Sequence, residues 1–262
     1  MSGPVANCHG MLKRILVRYG PPALALSGLI AAWQVCVVGF HISATVLPSP
    51  MRVVQTASAL GPLLLRDIVV TLYEVLTGFF LGNVFAVGIA YLISRSVFVE
   101  RAIYPFLLLS QTVPVLAIAP LLVIWFGTGI ATKVIVVAVV CFFPTAINMV
   151  EGLKATDPDL LALLRLATPS RWVAFVKIEF PNSLPYLFAG LEISAATAVV
   201  GAIVGEWVGA TEGLGYLILY GGATLRTDLM FVGVVTTVLL GIALCSTVAY
   251  VKRGFSWTTG GG

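Results

Sequence analysis

Long apolar stretches separated by short polar ones divide the chain into six repeats of the same pattern, near Pro22–Phe40, Ile68–Ile93, Ile103–Phe126, Val134–Val150, Leu184–Val208 and Leu229–Val251. About 20 mainly apolar residues in a helix cross the hydrocarbon core of a bilayer. Each stretch is therefore predicted to be a membrane-crossing helix. Within hydrocarbon every backbone amide and carbonyl must be paired inside the protein, and runs this continuous favour helices over a closed barrel. The pattern predicts an all-α membrane protein, a six-helix transmembrane bundle over residues 22–251, with an N-terminal segment 1–21 and a C-terminal tail 252–262.

The longest polar interruption, about residues 151–182, has its own punctuation. Thr156 or Asp157 is predicted to cap a helix with Pro158 in its first turn, where the missing amide hydrogen costs nothing. That helix carries Leu160, Leu161, Leu164 and Leu166, and Pro169 ends it. Ser170 is predicted to cap a second short helix through Trp172, Phe175 and Ile178 that stops before Pro181. Ser183 then restarts the chain into the fifth span, with Pro185 in its first turn. Two short amphipathic helices on one face of the membrane result, and their leucines must be buried against this bundle, the lipid interface or another protein.

Charge adds orientation. Residues are 59% hydrophobic and 10% charged, against about 25% charged in soluble domains, and the mean hydropathy is +1.05. There is no room for a separate soluble enzyme. With the N-terminus cytoplasmic, that side receives Lys13, Arg14, Arg18, Arg95, Arg101, Lys154, Arg165, Arg171, Lys177, Lys252 and Arg253, leaving Arg52, Arg66, Lys133 and Arg226 outside. This asymmetry follows the positive-inside rule and places both termini and the 151–182 loop in the cytoplasm. The net charge of +4 is scattered singly rather than gathered into a patch, so nucleic acid is not an expected partner. Cys8, Cys36, Cys141 and Cys245 lack metal or disulfide spacing and read as packing residues. His9 and His41 lie outside the bundle core, and no metal site or catalytic cluster is expected.

Ionisable and polar residues inside spans are costly and mark candidate functional positions. Glu74, Glu192 and Glu206 are of this kind. Glu206, near the outer end of the fifth span, fits either a translocation-path or gating role or a structural hydrogen bond in the bundle. Glu192 can reach the cytoplasmic interface. Gln111 and Asn148 can face a solute or bond between helices, and Pro114 and Pro120 are expected to kink the third span. Gly78 and Gly82, and Gly201, Gly205 and Gly209, repeat every four residues, which suits close helix packing within the chain or across a dimer. The glycine-rich outward turn from Gly209 to Asp228, with Glu212, Arg226 and Asp228, is either a solvated loop or a docking surface.

The 151–182 loop also carries a resemblance. Ala155, Asp157-Pro158, Leu160-Leu161, Arg165, Ser170-Arg171-Trp172, Phe175, Pro181, Leu184-Pro185 and Gly190-Leu191 resemble the cytoplasmic signature loop of binding-protein-dependent ABC importer permeases, in the branch with nitrate, taurine, aliphatic sulfonate and vitamin-precursor permeases. Thr71-Leu72, Gly78-Phe79, Pro105, Pro114, Ala119-Pro120, Trp125-Phe126-Gly127, Gly129 and Glu206 with Gly213-Leu214-Gly215-Tyr216 are similar to the same branch. The family's loop usually has Glu and Gly where this chain has Ala162 and Thr168, and a basic residue where it has Glu192.

The resemblance implies a type I ABC importer permease fold in a bacterial cytoplasmic (inner) membrane. It implies two copies of a separate ABC ATPase docking on Asp157, Leu160, Leu161, Leu164, Arg165, Ser170, Arg171 and Trp172, and a second permease subunit, most simply another copy of this chain. It also implies a periplasmic or lipid-anchored substrate-binding protein, and a solute path or gate involving Gln111, Pro114, Asn148 and Glu206. No cofactor is implied on this chain; it has no Gly-x-x-x-x-Gly-Lys-Ser/Thr loop, so ATP belongs to the partner. The alternative is a stand-alone secondary transporter or channel, which predicts inverted repeats.

Overall fold

The computed structural model describes residues 5–157, 159 and 170–255. The elements are α1 (Val5–Gly39), α2 (Pro50–Leu60), α3 (Pro62–Arg95), α4 (Val97–Ser110), α5 (Val115–Phe126), α6 (Ile130–Lys154), α7 (Arg171–Ala174), a π-helical turn (Phe175–Glu179), α8 (Phe180–Trp207), α9 (Leu214–Ala223) and α10 (Thr227–Phe255). No strand occurs among the described residues. Four continuous helices are long and apolar enough to cross a membrane: Pro62–Arg95, Ile130–Lys154, Trp172–Trp207 and Thr227–Phe255. The bent pair α4–α5 makes a fifth if it counts as one span, and the first predicted segment lies in α1, where Leu24–Gly39 is apolar.

The chain forms two compact units. One holds the chain up to Gly61 together with Tyr220–Val232, the other Pro62–Leu219 with the chain from Gly233 onward. In the first, Ser49 caps α2 through the Arg52 amide, Trp33 and Phe231 pack with ring centroids 5.6 Å apart, and the Thr56 hydroxyl donates to Asp228 at 3.2 Å.

The second unit is built on α3, α6 and α8. Thr71, Val75, Gly78, Gly82, Ala86, Ala90 and Ile93 are the buried stripe of α3, at the three-and-four spacing of one helix face. A Cβ added to Gly78 would stand 2.5 Å from that of Val137, and one on Gly82 would collide with the Ala138 carbonyl. From the other side, Gly201 and Gly205 of α8 bring their missing Cβ positions to 3.3 Å and 3.4 Å from the Cα atoms of Val137 and Lys133. The four-residue glycine spacing thus serves packing within the chain, with α6 held between backbones. Gly209 lies beyond α8, at φ +87°.

Two segments differ from expectation. The third stretch is not a kinked helix: α4 and α5 meet at 106° across the break before Val115. Pro114, at φ −66° and ψ 123°, is the residue preceding α5, whereas Pro120 sits inside α5. Nor does the second short loop helix stop before Pro181. The chain is helical without interruption from α7 through the π turn into α8. A proline ring meets the carbonyl four residues back in a regular helix, here Lys177, and widening the ladder over Phe175–Glu179 relieves that contact. The Ser183 hydroxyl donates to the Phe180 carbonyl at 2.8 Å.

Candidate functional site

Charge is buried in the N-terminal half of α3, where spans carry almost none. Glu74 is fully buried, Glu206 is 1% exposed and Lys133 is 6% exposed. Lys133 Nζ stands 3.2 Å from Glu74 Oε1, and Glu74 faces Glu206, so one ammonium serves two carboxylates. Thr71 donates its hydroxyl to Glu206 Oε1 at 2.6 Å. That hydroxyl in turn accepts the Leu214 amide at 2.9 Å, Asp67 Oδ1 accepts the Gly213 amide at 2.9 Å, and Glu206 Oε2 accepts the amide of Gly215.

Three successive amides at the start of α9 are therefore capped by side chains from α3 and α8. The first amides of a helix have no partner within it, and carboxylates there also meet the positive end of its dipole. Gly213 is required twice over: its φ is +112°, and a Cβ would occupy the Glu206 carboxyl. Outside this clasp, Arg66 and Glu212 pair at the rim.

Lys133, expected among the outer loop charges, is instead part of the interior, at the end of the first turn of α6. The available signal was a lysine one residue before an apolar run with Glu74 in a neighbouring span; two opposite charges in hydrocarbon are cheapest together. Asp67 and Thr71 were not legible as helix caps, because the amides they bind are over 140 residues away in sequence.

The C-terminal end of α3 has different chemistry. Arg95 pairs with Glu179 on the π turn, its guanidinium 4.8 Å from the Tyr91 ring centroid and 5.6 Å from that of Phe175. Tyr91 and Phe175 meet edge to face at 4.5 Å, and Trp172 stands 5.8 Å from Tyr91. Nearby, Lys154 pairs with Glu100 at 2.7 Å and the Tyr104 hydroxyl donates to Glu151 at 3.2 Å, joining α4 to α6.

Of the expected loop residues, Leu160, Leu161, Leu164 and Arg165 lie outside the described residues. Asp157 accepts the Asp159 amide at 2.8 Å, which favours Asp157 as the cap. Ser170 accepts the Val173 amide at 3.4 Å and starts α7, as predicted; Arg171 is the first residue of α7 and Trp172 is 59% exposed.

The expected path residues do not converge on one site. Gln111 and Pro114 are both exposed in the α4–α5 break, Asn148 donates to the Pro144 carbonyl of its own helix at 2.8 Å, and Glu206 belongs to the clasp. Between them in depth, Asn83, Thr145 and Ser194 link α3, α6 and α8, with Thr145 donating to Asn83 at 2.5 Å and lying 2.8 Å from Ser194. Glu192 bonds Lys252 at 2.9 Å and 3.1 Å, the pair being about 40% exposed. Among the described residues no cluster of His, Cys, Asp and Glu is arranged to hold a metal ion. An apolar cleft of about 400 Å³ lies between α3 and α6, lined by Leu81, Phe85, Ile89, Ile135 and Phe142 among others, and offers no polar group.

The sequence of residues 78–256 matches the family described as binding-protein-dependent transport system inner membrane component. The chain is 34% identical to a probable ABC transporter permease protein of Haemophilus influenzae over 92% of its own length and 99% of that protein's. It is 36% identical to the formylaminopyrimidine transport permease protein ThiX of Halalkalibacterium halodurans, covering 74% of this chain and 78% of the relative. With the riboflavin transport system permease protein RibX of Chloroflexus aurantiacus it shares 35% identity over 92% of each. The multi-pass helical bundle and these matches agree, and the chain belongs to the inner-membrane permease family of binding-protein-dependent ABC importers.

Proposed function

We propose that this chain is half of the membrane path of an ATP-driven importer for a small solute, in the class of sulfonates, nitrate and vitamin or pyrimidine and flavin precursors. The observation that carries this is the near full-length similarity to permeases named for formylaminopyrimidine, riboflavin and aliphatic sulfonates. Two such chains form a two-fold path in the cytoplasmic membrane of a bacterium, with both termini on the cytoplasmic side. An external binding protein delivers the solute to the outward face, and two copies of a separate ATPase hydrolyse ATP.

The ATPase docks on the loop from Asp157 to Trp172. Leu160, Leu161 and Leu164 fill its groove at helical spacing, Arg165 and Arg171 meet its rim, and Ser170 sets the start of the helix that returns into the bundle. Glu206 acts as an outward gate anchor, since it caps the first turn of α9 from within the span. Gln111, Pro114 and Asn148 border the path.

The test is co-expression of this chain with its candidate ATPase, with purification through a tag on one subunit. The ATPase should co-purify with the unaltered chain. Leu161→Asp with Leu164→Asp should abolish capture while membrane insertion is retained, and capture that survives would refute the docking assignment. Titrating the accompanying binding protein with taurine, nitrate, riboflavin and formylaminopyrimidine by calorimetry would identify the solute.

A further inference from the structure

Arg95, the last residue of α3, is held from two sides. Its guanidinium is ion-paired on one side and stacked against two aromatic rings on the other, and its pair is mostly buried, at 20% and 10% side-chain exposure. The partner Glu179 and the ring of Phe175 are the last and first residues of the π turn. A π turn within a helix is uncommon and marks a place where the ladder is interrupted to satisfy something else. Here it lies between the polar loop and the membrane-crossing part of α8. Trp172, one turn earlier, leans on Tyr91 of the same box. Three side chains from the segment that leaves the loop, Trp172, Phe175 and Glu179, therefore grip the end of α3 through Tyr91 and Arg95.

The other end of α3 holds the outer turn. Arg66, Asp67 and Thr71 bind Glu212 and the amides of Gly213 and Leu214. One continuous helix, about 50 Å long at 1.5 Å per residue, thus connects the exit of the cytoplasmic loop to the outward turn. We propose that Arg95 and the π turn Phe175–Glu179 form the joint that transmits displacement of the cytoplasmic loop into α3, and through α3 to the outer turn at residues 209–213. Arg95 and Glu179 are positioning residues in this role and touch neither solute nor nucleotide. The inference rests on the reading that the loop docks an ATPase.

An ion pair with an aromatic box suits a joint better than an apolar contact does. The guanidinium is planar, and its face and edge bind different partners, so it can pivot on the rings while keeping the carboxylate. A purely static staple has the same residues but a different signature: its loss lowers stability without altering the response to nucleotide.

The experiment uses the assembled complex in lipid nanodiscs, with amide hydrogen exchange read by mass spectrometry before and after trapping with ATP and orthovanadate. In the unaltered complex, trapping should change exchange across residues 209–213 by about fivefold or more, the lower end of ordinary coupling between sites. With Glu179→Gln, which keeps shape and loses the ion pair, the change should fall below about twofold while the ATPase still co-purifies. Glu179→Asp should restore it. A full response in Glu179→Gln overturns the joint. So does loss of ATPase capture in that variant, which would make the pair part of the dock. If Glu179→Gln does not accumulate, Arg95→Lys decides in the same way, since it keeps the charge and loses the stacked plane. An unaltered chain that captures no ATPase would instead sink the importer reading, and the joint with it; an unaltered complex that captures ATPase yet shows no change at the outer turn overturns the joint alone.

Discussion

The two ends of α3 solve the same problem, holding a neighbouring segment against a span, with opposite materials. At the N-terminal end Asp67, Thr71 and the buried Glu206 hold backbone amides at the start of α9. At the C-terminal end a mostly buried ion pair sits among aromatic rings. The first arrangement allows little movement, because backbone amides have one good geometry and any carboxylate they release stays unpaired in a low-dielectric interior. The second tolerates rotation, because rings and a guanidinium attract over a range of angles. A fixed anchor at one end and a movable joint at the other follow from that difference.

The contrast is tested most severely at Glu206. Glu206→Ala removes the acceptor of Thr71 and Gly215 and leaves Lys133 one carboxylate short; removing one partner from a buried charged set costs about 3–5 kcal/mol. Thermal unfolding of the purified chain in detergent should show it, with Glu206→Gln losing less. Next is the helix contact joining the two ends. Gly82→Val forces α3 off the Ala138 carbonyl, an overpacking cost of about 1–3 kcal/mol, whereas Gly88→Val, with nothing within 4 Å, should stay within about 0.5 kcal/mol by the same measurement.

At the C-terminal end of α3, Glu179→Gln should lower stability by about 1.5–3 kcal/mol, the range of a hydrogen bond to a charged group, while its effect on the nucleotide response is the large one. A loss there as great as for Glu206→Ala would erase the distinction between the ends. The smallest effect belongs to Lys252→Ala. Its pair with Glu192 is about 40% exposed on both sides, so solvent screening leaves under about 0.5 kcal/mol, and raised salt should mask the difference in the same melts.

The sequence made the spans visible because apolar runs of this length have few other uses, and it made the glycine faces visible because spacing alone places them on one side of a helix. Glu206 stood out by its cost in hydrocarbon. Its role did not, since the amide of Gly215 meets it only once the chain has turned through Gly209 and Gly213, both with positive φ. Lys133 was misplaced because a charge at the edge of an apolar run reads as a loop charge until its partner is known. The α4–α5 break was hidden for another reason: hydropathy records how apolar a stretch is and carries nothing about direction, so a 106° corner and a kinked rod look alike. Pro181 pointed to a helix end, and only the π turn before it shows how the helix continues.

The close approach of α6 to both neighbours has a consequence for where a solute can travel. With Gly78 and Gly82 against one side of α6 and Gly201 and Gly205 against the other, a methyl group on either α3 glycine would overlap α6 and one on either α8 glycine would already touch it. The three helices make a solid plank that can tilt but not part, so a molecule of vitamin or sulfonate size has no route through its thickness. Passage has to run along one of its broad surfaces, and a channel bounded on one side by this plank needs its opposite wall from somewhere else.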